Sequence, residues 1–261
     1  MQASQIEHTA QRLNEAMNDQ KTLLPLTTQY PALSIDHAYA ISLELLKLRL
    51  NQGEKVIGKK IGLTSEVVQK MLGVHQPDFG FLMDKMQYPS GAAIPLKEQL
   101  IQPKSEGEIA FKLKHDLVGP NITADDVLAA TEQVFACFEI VDSRIENWQI
   151  KIQDTIADNA SCGIFVMSEQ GVDPNTVDFE NCRMVIKNKG EVVATGKGSA
   201  ALGSPLNCVA WLANTLGQYD IPLKAGDIIL SGSLAAMMPG EVGDDMQVEI
   251  EGVGSAAFKF I

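Results

Sequence analysis

The chain has 261 residues, 45% of them hydrophobic, and a formal charge of −12. The apolar share is ample for a real core, while the acidic balance argues against nucleic acid, whose phosphates call for clustered lysine and arginine. No apolar run approaches the ~20 residues of a bilayer crossing, and Met1 to Glu7 lacks the basic-then-apolar order of a secretory signal, so a cytoplasmic protein is expected.

Ile6, Ala10, Leu13 and Met17, spaced by four, three and four, predict an N-terminal helix with one apolar face. A second helix is predicted over Ile35 to Leu50, with Ser34 placed to cap it and Gly53 to end it. From about Val56 the pattern turns to short strands separated by Gly, Pro and Asn: 56–60, 107–113, 135–141, 164–167, 183–187, 191–195, 227–231, 247–250 and 256–260. Asn188-Lys189-Gly190 joins two of these as a hairpin. Val74 to Leu82, with its Pro77 and Gly80, reads as a loop able to form a lid. Helices are predicted from Ser65 to Leu72 before Gly73, and from Thr123 to Gln133 with Asp126 completing a capping box. A third runs from Pro205 to Leu216, capped by Ser204, buried along Leu206, Val209, Leu212 and Leu216, and ended by Gly217. The sum is an α+β chain: a small helical N-terminal part over residues 1–55, resting on one β-rich catalytic body over 56–261.

Ser105-Glu106-Gly107-Glu108-Ile109-Ala110-Phe111 sets two carboxylates at i and i+2, which a strand turns to one face. A hard divalent cation between them would offset their repulsion; a solvated strand face is the plainer alternative. Glu139 lies in Phe135-Ala136-Cys137-Phe138-Glu139-Ile140-Val141, a strand too apolar to be exposed. A buried glutamate needs a partner, which is a cation, Arg144 or a lysine. Asp142 and Arg144 also read as a structural ion pair. Three glutamates on two strands would fill half of an octahedral Mg²⁺ shell and leave the rest to substrate and water.

Strand alternation turns Lys60 to the face opposite Lys59, so one of them points inward unless both lie on the surface. A desolvated lysine beside a metal would have a lowered pKa and could move protons. Asp78 is either a lid residue or the centre of an Asp turn. Asp158-Asn159-Ala160-Ser161-Cys162-Gly163 either cradles a carboxylate or shapes a turn. His8, His37, His75 and His115 have no metal spacing, and Cys137, Cys162, Cys182 and Cys208 are expected as buried, reduced thiols. Gly53 to Lys60 lacks the hydroxyl residue that closes a phosphate-binding loop. Gly196 to Gly203 does not match the dinucleotide fingerprint.

Six segments together resemble the hydratase and decarboxylase family of aromatic meta-cleavage pathways, within the fumarylacetoacetate hydrolase superfamily. They are GKKIGLTS at 58–65, GVHQPDFGFL at 73–82, QPKSEGEIAF at 102–111, FEIVDSRIENW at 138–148, DTIADNASCG at 154–163 and ALGSPLNCVAWLANTLG at 201–217. The resemblance implies a mixed β-sheet roll in which Glu106, Glu108 and Glu139 hold Mg²⁺ or Mn²⁺ and the metal chelates the carboxylate and 2-oxygen of the substrate. It implies Lys60 and Asp78 as catalytic residues, with Ser161 and Leu82 touching substrate. The implied reaction is hydration of 2-hydroxypenta-2,4-dienoate to 4-hydroxy-2-oxopentanoate, through protonation at C5 and addition of water at C4.

Asp78 is the discriminating residue, because decarboxylases of the family carry an apolar residue and then Tyr before the glycine matching Gly80. Decarboxylation of 4-oxalocrotonate, or service as a non-catalytic partner of that decarboxylase, is the alternative. A homo-oligomer of fivefold type, able to associate with the decarboxylase, is implied as well. Where many members have Ile-Glu-Ala-Glu, this chain has Ser105-Glu106-Gly107-Glu108: the ligand positions persist and only the packing of the strand differs.

Overall fold

In chain order the helices are α1 (Ala3–Asn18), α2 (Leu26–Gln29), α3 (Ile35–Asn51), α4 (Leu96–Gln99), α5 (Ala124–Ala130), α6 (Ile152–Ala157) and α7 (Pro205–Gly217). The strands are β1 (Val56–Gly62), β2 (Asp78–Met83), β3 (Gln87–Pro89), β4 (Ala92–Ile94), β5 (Pro103–Leu113), β6 (Thr131–Asp142) and β7 (Cys162–Met167). They continue with β8 (Arg183–Asn188), β9 (Glu191–Lys197), β10 (Ile228–Leu230), β11 (Met238–Pro239), β12 (Asp245–Ile250) and β13 (Gly254–Phe260). The structure, a computed structural model, describes residues 1–65, 69, 74 and 76–261, so the helix expected from Ser65 to Leu72 falls largely outside the described residues.

Two mixed sheets form the body. The larger runs β2-β1-β10-β5-β6-β7-β3, with β11 pairing beside β10's neighbour β5, and the smaller runs β4-β13-β12-β8-β9. At the centre of the larger sheet β5 and β6 pair antiparallel from Pro103 opposite Asp142 to Leu113 opposite Thr131. Their length follows from composition: β6 is a nearly continuous run of β-branched, aromatic and small residues, the pattern of a strand covered on both faces. The smaller sheet supplies part of that cover, with the Phe138 ring 5.0 Å from Phe258 and Phe258 4.8 Å from Phe260, both edge-on.

Gly107 faces this second sheet. A Cβ there would stand 2.5 Å from the sulfur of Met184 and 3.0 Å from Ile186 Cδ1, so these longer side chains occupy the space that a β5 methyl would fill. The substitution noted in the glutamate motif is thereby absorbed on the sheet's far side, away from the carboxylates.

The N-terminal helices pack on one another and α3 packs on α6. Ala10 and Leu13 of the expected apolar stripe are fully covered, whereas Ile6 and Met17 are only partly so. Ser34 caps α3, its Oγ accepting from His37 N at 3.2 Å. Lys189 and Gly190 both take positive φ, +53° and +84°, the turn that suits the twist of the β8–β9 hairpin.

Two expectations change. The helix begun at Thr123 stops at Ala130, because from Thr131 the chain joins the ladder with β5. Of the stretch expected to be a lid, Asp78 to Leu82 lie instead in β2, a fully buried strand paired with β1 from Val56–Met83 to Gly62–Asp78. Gly80 interrupts the hydrophobic pattern for a packing reason: a Cβ there would meet Asn159 O at 2.4 Å.

Candidate active site

Glu106 and Glu108 project from one face of β5, and the antiparallel register sets Glu139 of β6 directly opposite Glu106. One carboxylate oxygen from each of the three lies within 4.8 Å of the others. Glu108 and Glu139 are fully buried, whereas Glu106 opens onto a cavity of about 400 Å³. Gly232 N donates to Glu108 Oε2 at 2.8 Å, but Glu108 Oε1 and Glu139 Oε2 are buried without a hydrogen-bond partner among the described residues. Burial, reinforced by the charge of Glu139, raises Glu106 to about 7 and lifts Glu108 well above the usual carboxylate range. Inward-facing, partly orphaned carboxylates this close together fit a hard divalent cation, which neutralises them and supplies the missing contacts.

Lys60, on β1, brings its Nζ to 3.1 Å from Glu139 Oε1 and is almost fully buried. Burial opposes its charge, but Glu139 and Asp78, with Glu106 behind them, more than compensate and raise its pKa. The lowered pKa expected of Lys60 is that of a lysine beside a metal; without a cation, carboxylate attraction outweighs desolvation. Nor is its neighbour on the surface. Lys59, on the opposite face, reaches Asp227 Oδ2 at 2.5 Å in a buried ion pair.

Asp78 opens β2 opposite Gly62, where a Cβ would lie 2.2 Å from its Oδ1, so a glycine at 62 makes room for the carboxylate. Neither Asp78 oxygen has a hydrogen-bond partner among the described residues. Burial raises its pKa to about 6, with Lys60 opposing and Glu139 assisting.

Ser161 lines the same cavity, its Oγ 3.1 Å from Thr155 Oγ1. It ends a run, Asn159-Ala160-Ser161, in which every residue has φ between +51° and +53°. For L-residues such a run costs of order 1–2 kcal/mol each, so the surroundings have to impose it. Arg144 does so from below. Its Nε donates to Asp158 Oδ1 at 2.5 Å, its Nη2 to Asp158 O at 2.6 Å, and its Nη1 to Cys162 O at 2.9 Å and to Asp142 O. From the other side the Asn159 amide pairs with both backbone groups of Phe81. Arg144 therefore partners Asp158, and not Glu139; Asp142, expected to pair with Arg144 through its carboxylate, accepts from the Ile101 and Gln102 amides.

Leu82 corrects the sequence reading. It is fully buried and absent from the cavity wall, because it lies four residues along β2 from Asp78, roughly 13 Å at strand rise, with Asn159 packed over the intervening Gly80. Lys60, Asp78, Glu106 and Ser161 do share the cavity, with Glu108 and Glu139 behind Glu106.

Several lining residues carried no expectation. Lys104, two residues before Glu106 on the same face, stands 4.2 Å from the centroid of the Trp148 ring; strand alternation alone marks its position. Thr155, Ile150 and the Ser233 to Met237 turn also line the wall, and nothing in the local sequence distinguishes that turn from an ordinary loop.

The sequence and fold are shared with known proteins. Residues 61–261 match the model of the fumarylacetoacetate (FAA) hydrolase C-terminal family. The chain belongs to that family. Among its fumarylacetoacetate-hydrolase relatives, a 2-hydroxyhexa-2,4-dienoate hydratase of Comamonas testosteroni is 56% identical, over 98% of this chain and 97% of its own. A 2-hydroxypent-2,4-dienoate hydratase of Pseudomonas putida is 58% identical, over 85% of this chain and 100% of its own. Among solved structures, 4-oxalocrotonate decarboxylase from Pseudomonas putida G7, complexed with magnesium and adipate, superposes with a TM-score of 0.97 at 33% identity, covering 100% of this chain and 99% of that one.

Proposed function

We infer that the chain is a cation-dependent hydro-lyase of aromatic meta-cleavage catabolism that adds water to 2-hydroxypenta-2,4-dienoate, giving 4-hydroxy-2-oxopentanoate. The observation that carries the reading is the set of buried carboxylates of Asp78, Glu108 and Glu139, most of whose oxygens have no hydrogen-bond partner among the described residues, gathered around one cavity with Lys60 Nζ 3.1 Å from Glu139 Oε1. Such a set takes a cation and an acid that is itself to be protonated or hydrated. Identity above 50% to dienoate hydratases, against 33% to the decarboxylase, favours hydration over loss of CO₂.

When bound by Glu106, Glu108 and Glu139, Mg²⁺ or Mn²⁺ supplies Lewis-acid stabilisation to the carboxylate and 2-oxygen of the substrate. Lys60, held by Glu139, donates a hydrogen bond toward the 2-oxygen, passes a proton to C5 and is reprotonated by the proton that leaves the enol. The resulting 3-en-2-one is an acceptor at C4. Asp78, with a pKa raised to about 6 and oxygens that have no hydrogen-bond partner among the described residues, takes a proton from water as the water oxygen bonds to C4 and returns that proton to C3. Ser161, oriented by Thr155, holds the substrate carboxylate or the water.

Loss of the dienol ultraviolet band, followed with added Mg²⁺ and again with chelator, tests the assignment, with the product identified by mass. A product heavier than the dienol by one water is expected. Release of CO₂ from 4-oxalocrotonate with the dienol left unhydrated would favour the decarboxylase reading. The same reading includes a cytoplasmic homo-oligomer of fivefold type able to associate with 4-oxalocrotonate decarboxylase, for which the solution mass of the chain alone and of the mixture is the measure.

A further inference from the structure

Thr155 stands between two residues already given roles. It lies on α6 and lines the cavity beside Lys60, Asp78 and Ser161, almost wholly buried. The helix beneath it is clamped: Asp154, the residue before it, accepts from Lys151 N at 2.9 Å, from Thr27 N at 2.9 Å and from Thr27 Oγ1 at 2.8 Å, which ties the first turn of α6 to α2. Branching at Cβ then leaves the Thr155 side chain few rotamers. Among the described residues its hydroxyl has one hydrogen-bond partner, Ser161 Oγ at 3.1 Å, and Ser161 Oγ has no other. The carboxylate of Asp78 is its other polar neighbour. The Thr155 hydroxyl holds that carboxyl down against the upward push of burial, although the two fall short of full hydrogen-bond geometry.

A count of hydrogens decides which way these bonds run. Each hydroxyl has a single hydrogen to give and lone pairs to accept with, whereas a carboxylate only accepts. When Asp78 is ionised, as a base has to be, the Thr155 hydrogen is drawn to the carboxylate, because a charged acceptor makes the stronger bond. Ser161 is then the donor in the pair with Thr155. Its only hydrogen is committed there, and what it turns toward the cavity is a lone pair. In that state Ser161 repels a substrate carboxylate and accepts from water.

We propose that Thr155 sets the direction of the Ser161 hydrogen bond, so that Ser161 and Asp78 accept the two hydrogens of the water that adds to C4, and the substrate carboxylate lies elsewhere. This rests on the hydratase reading and selects one of the two roles open to Ser161. With both hydrogens held, the water keeps a lone pair for carbon. As its oxygen bonds to C4, the O–H bond on the Asp78 side breaks, its proton passes to Asp78, and the π pair of the C3–C4 double bond moves toward the 2-oxygen; Asp78 then returns the proton to C3. The hydrogen on the Ser161 side stays in the product hydroxyl. Thr155 is thus a positioning residue that acts through Ser161 and Asp78.

Thr155→Val keeps the shape and removes the hydroxyl, while Thr155→Ser keeps the hydroxyl and removes the methyl. With the dienol and Mg²⁺, the Val variant is expected to lose roughly tenfold in kcat with KM within about threefold of the parent, the loss of one hydrogen bond to a charged group, and the Ser variant to recover kcat to within about threefold. A packing role gives the reverse order, with Val active and Ser impaired, and overturns the assignment. Ser161→Ala should match Thr155→Val, and the double variant should be no slower than either, because the two hydroxyls act as a unit; losses that multiply overturn it. Ala160 already holds the same left-handed φ as Ser161, +51° against +52°, so alanine suits the turn.

The carboxylate is followed without turnover, by calorimetry with the saturated analogue 2-oxopentanoate and Mg²⁺ at pH 8, above the value of about 6 for Asp78. Kd should differ by less than about twofold between the parent and Ser161→Ala; a rise of roughly tenfold, the loss of a bond to a charged acceptor, places the carboxylate on Ser161 and overturns the assignment. A parent that binds 2-oxopentanoate but leaves the dienol unhydrated sinks the hydratase reading and takes the water site with it. A parent that hydrates the dienol, with Thr155→Val as fast, sinks only the role of Thr155.

Discussion

At Glu108 one oxygen is satisfied by the Gly232 amide and the other faces its fellow glutamates without a partner. Glu108→Gln keeps the size and the amide contact but removes a charge from the ligand set. Cation affinity by calorimetry should fall at least tenfold, while Lys60→Met should leave the cation bound and lower turnover. The protonation of the same groups gives a pH dependence with a definite sign. Glu106 sits near 7 in the folded chain against an ordinary 4.5. Without cation, the stability associated with this group is therefore fully present below about 4.5, declines as pH rises, and has been lost once pH passes 7. Cation binding requires the ionised form and runs the other way. Titrations at pH 6 and pH 8 should show the tighter affinity at pH 8; equal affinities would mean that protons do not compete for the site.

The element that most needs its supports is the left-handed turn at 159–161. Arg144 ties both of its flanks, and its partner Asp158 is fully buried. Removing one member of such a pair strands the other, at roughly 3–5 kcal/mol. Arg144→Ala should therefore lower stability by that much in denaturant unfolding and impair turnover through Ser161, although Arg144 does not line the cavity. Legibility in the sequence followed the same physical lines. Glu139 was readable because a carboxylate in an apolar strand has to be accounted for, and Glu106 with Glu108 because strand period is two. β2 was not, since Pro77 and Gly80 punctuate it like a loop; the reason for Gly80 is the Asn159 backbone, more than seventy residues away. Arg144 was visible as a charge needing a partner, but Asp158 and Asp142 were equally available along the chain, and only the fold chooses between them.

Across the whole molecule, an acidic chain with a net charge of −12 concentrates four carboxylates around one cavity and counters them locally with Lys60 and Lys104. Ligation by a cation then couples to global stability by mass action. At a free concentration a hundredfold above Kd, Mg²⁺ should stabilise the folded state by about 2.7 kcal/mol. The melting temperature should rise with added Mg²⁺ and return with chelator, and the Glu108→Gln variant should lose most of the rise. The absence of any shift in the parent chain would count against a cation site.

Opposition of Glu106 and Glu139 across the central ladder also behaves as a reading frame. A one-residue insertion within β5 or β6 would turn every side chain beyond it to the other face, sending a glutamate into the Phe138–Phe258 layer and a phenylalanine into the cavity. The same insertion in the connection between Lys114 and Thr123 would leave the frame intact. Among descendants of this sequence, length should drift in the connections while the spacing from Glu106 to Glu108, and from each to the ends of its strand, stays fixed.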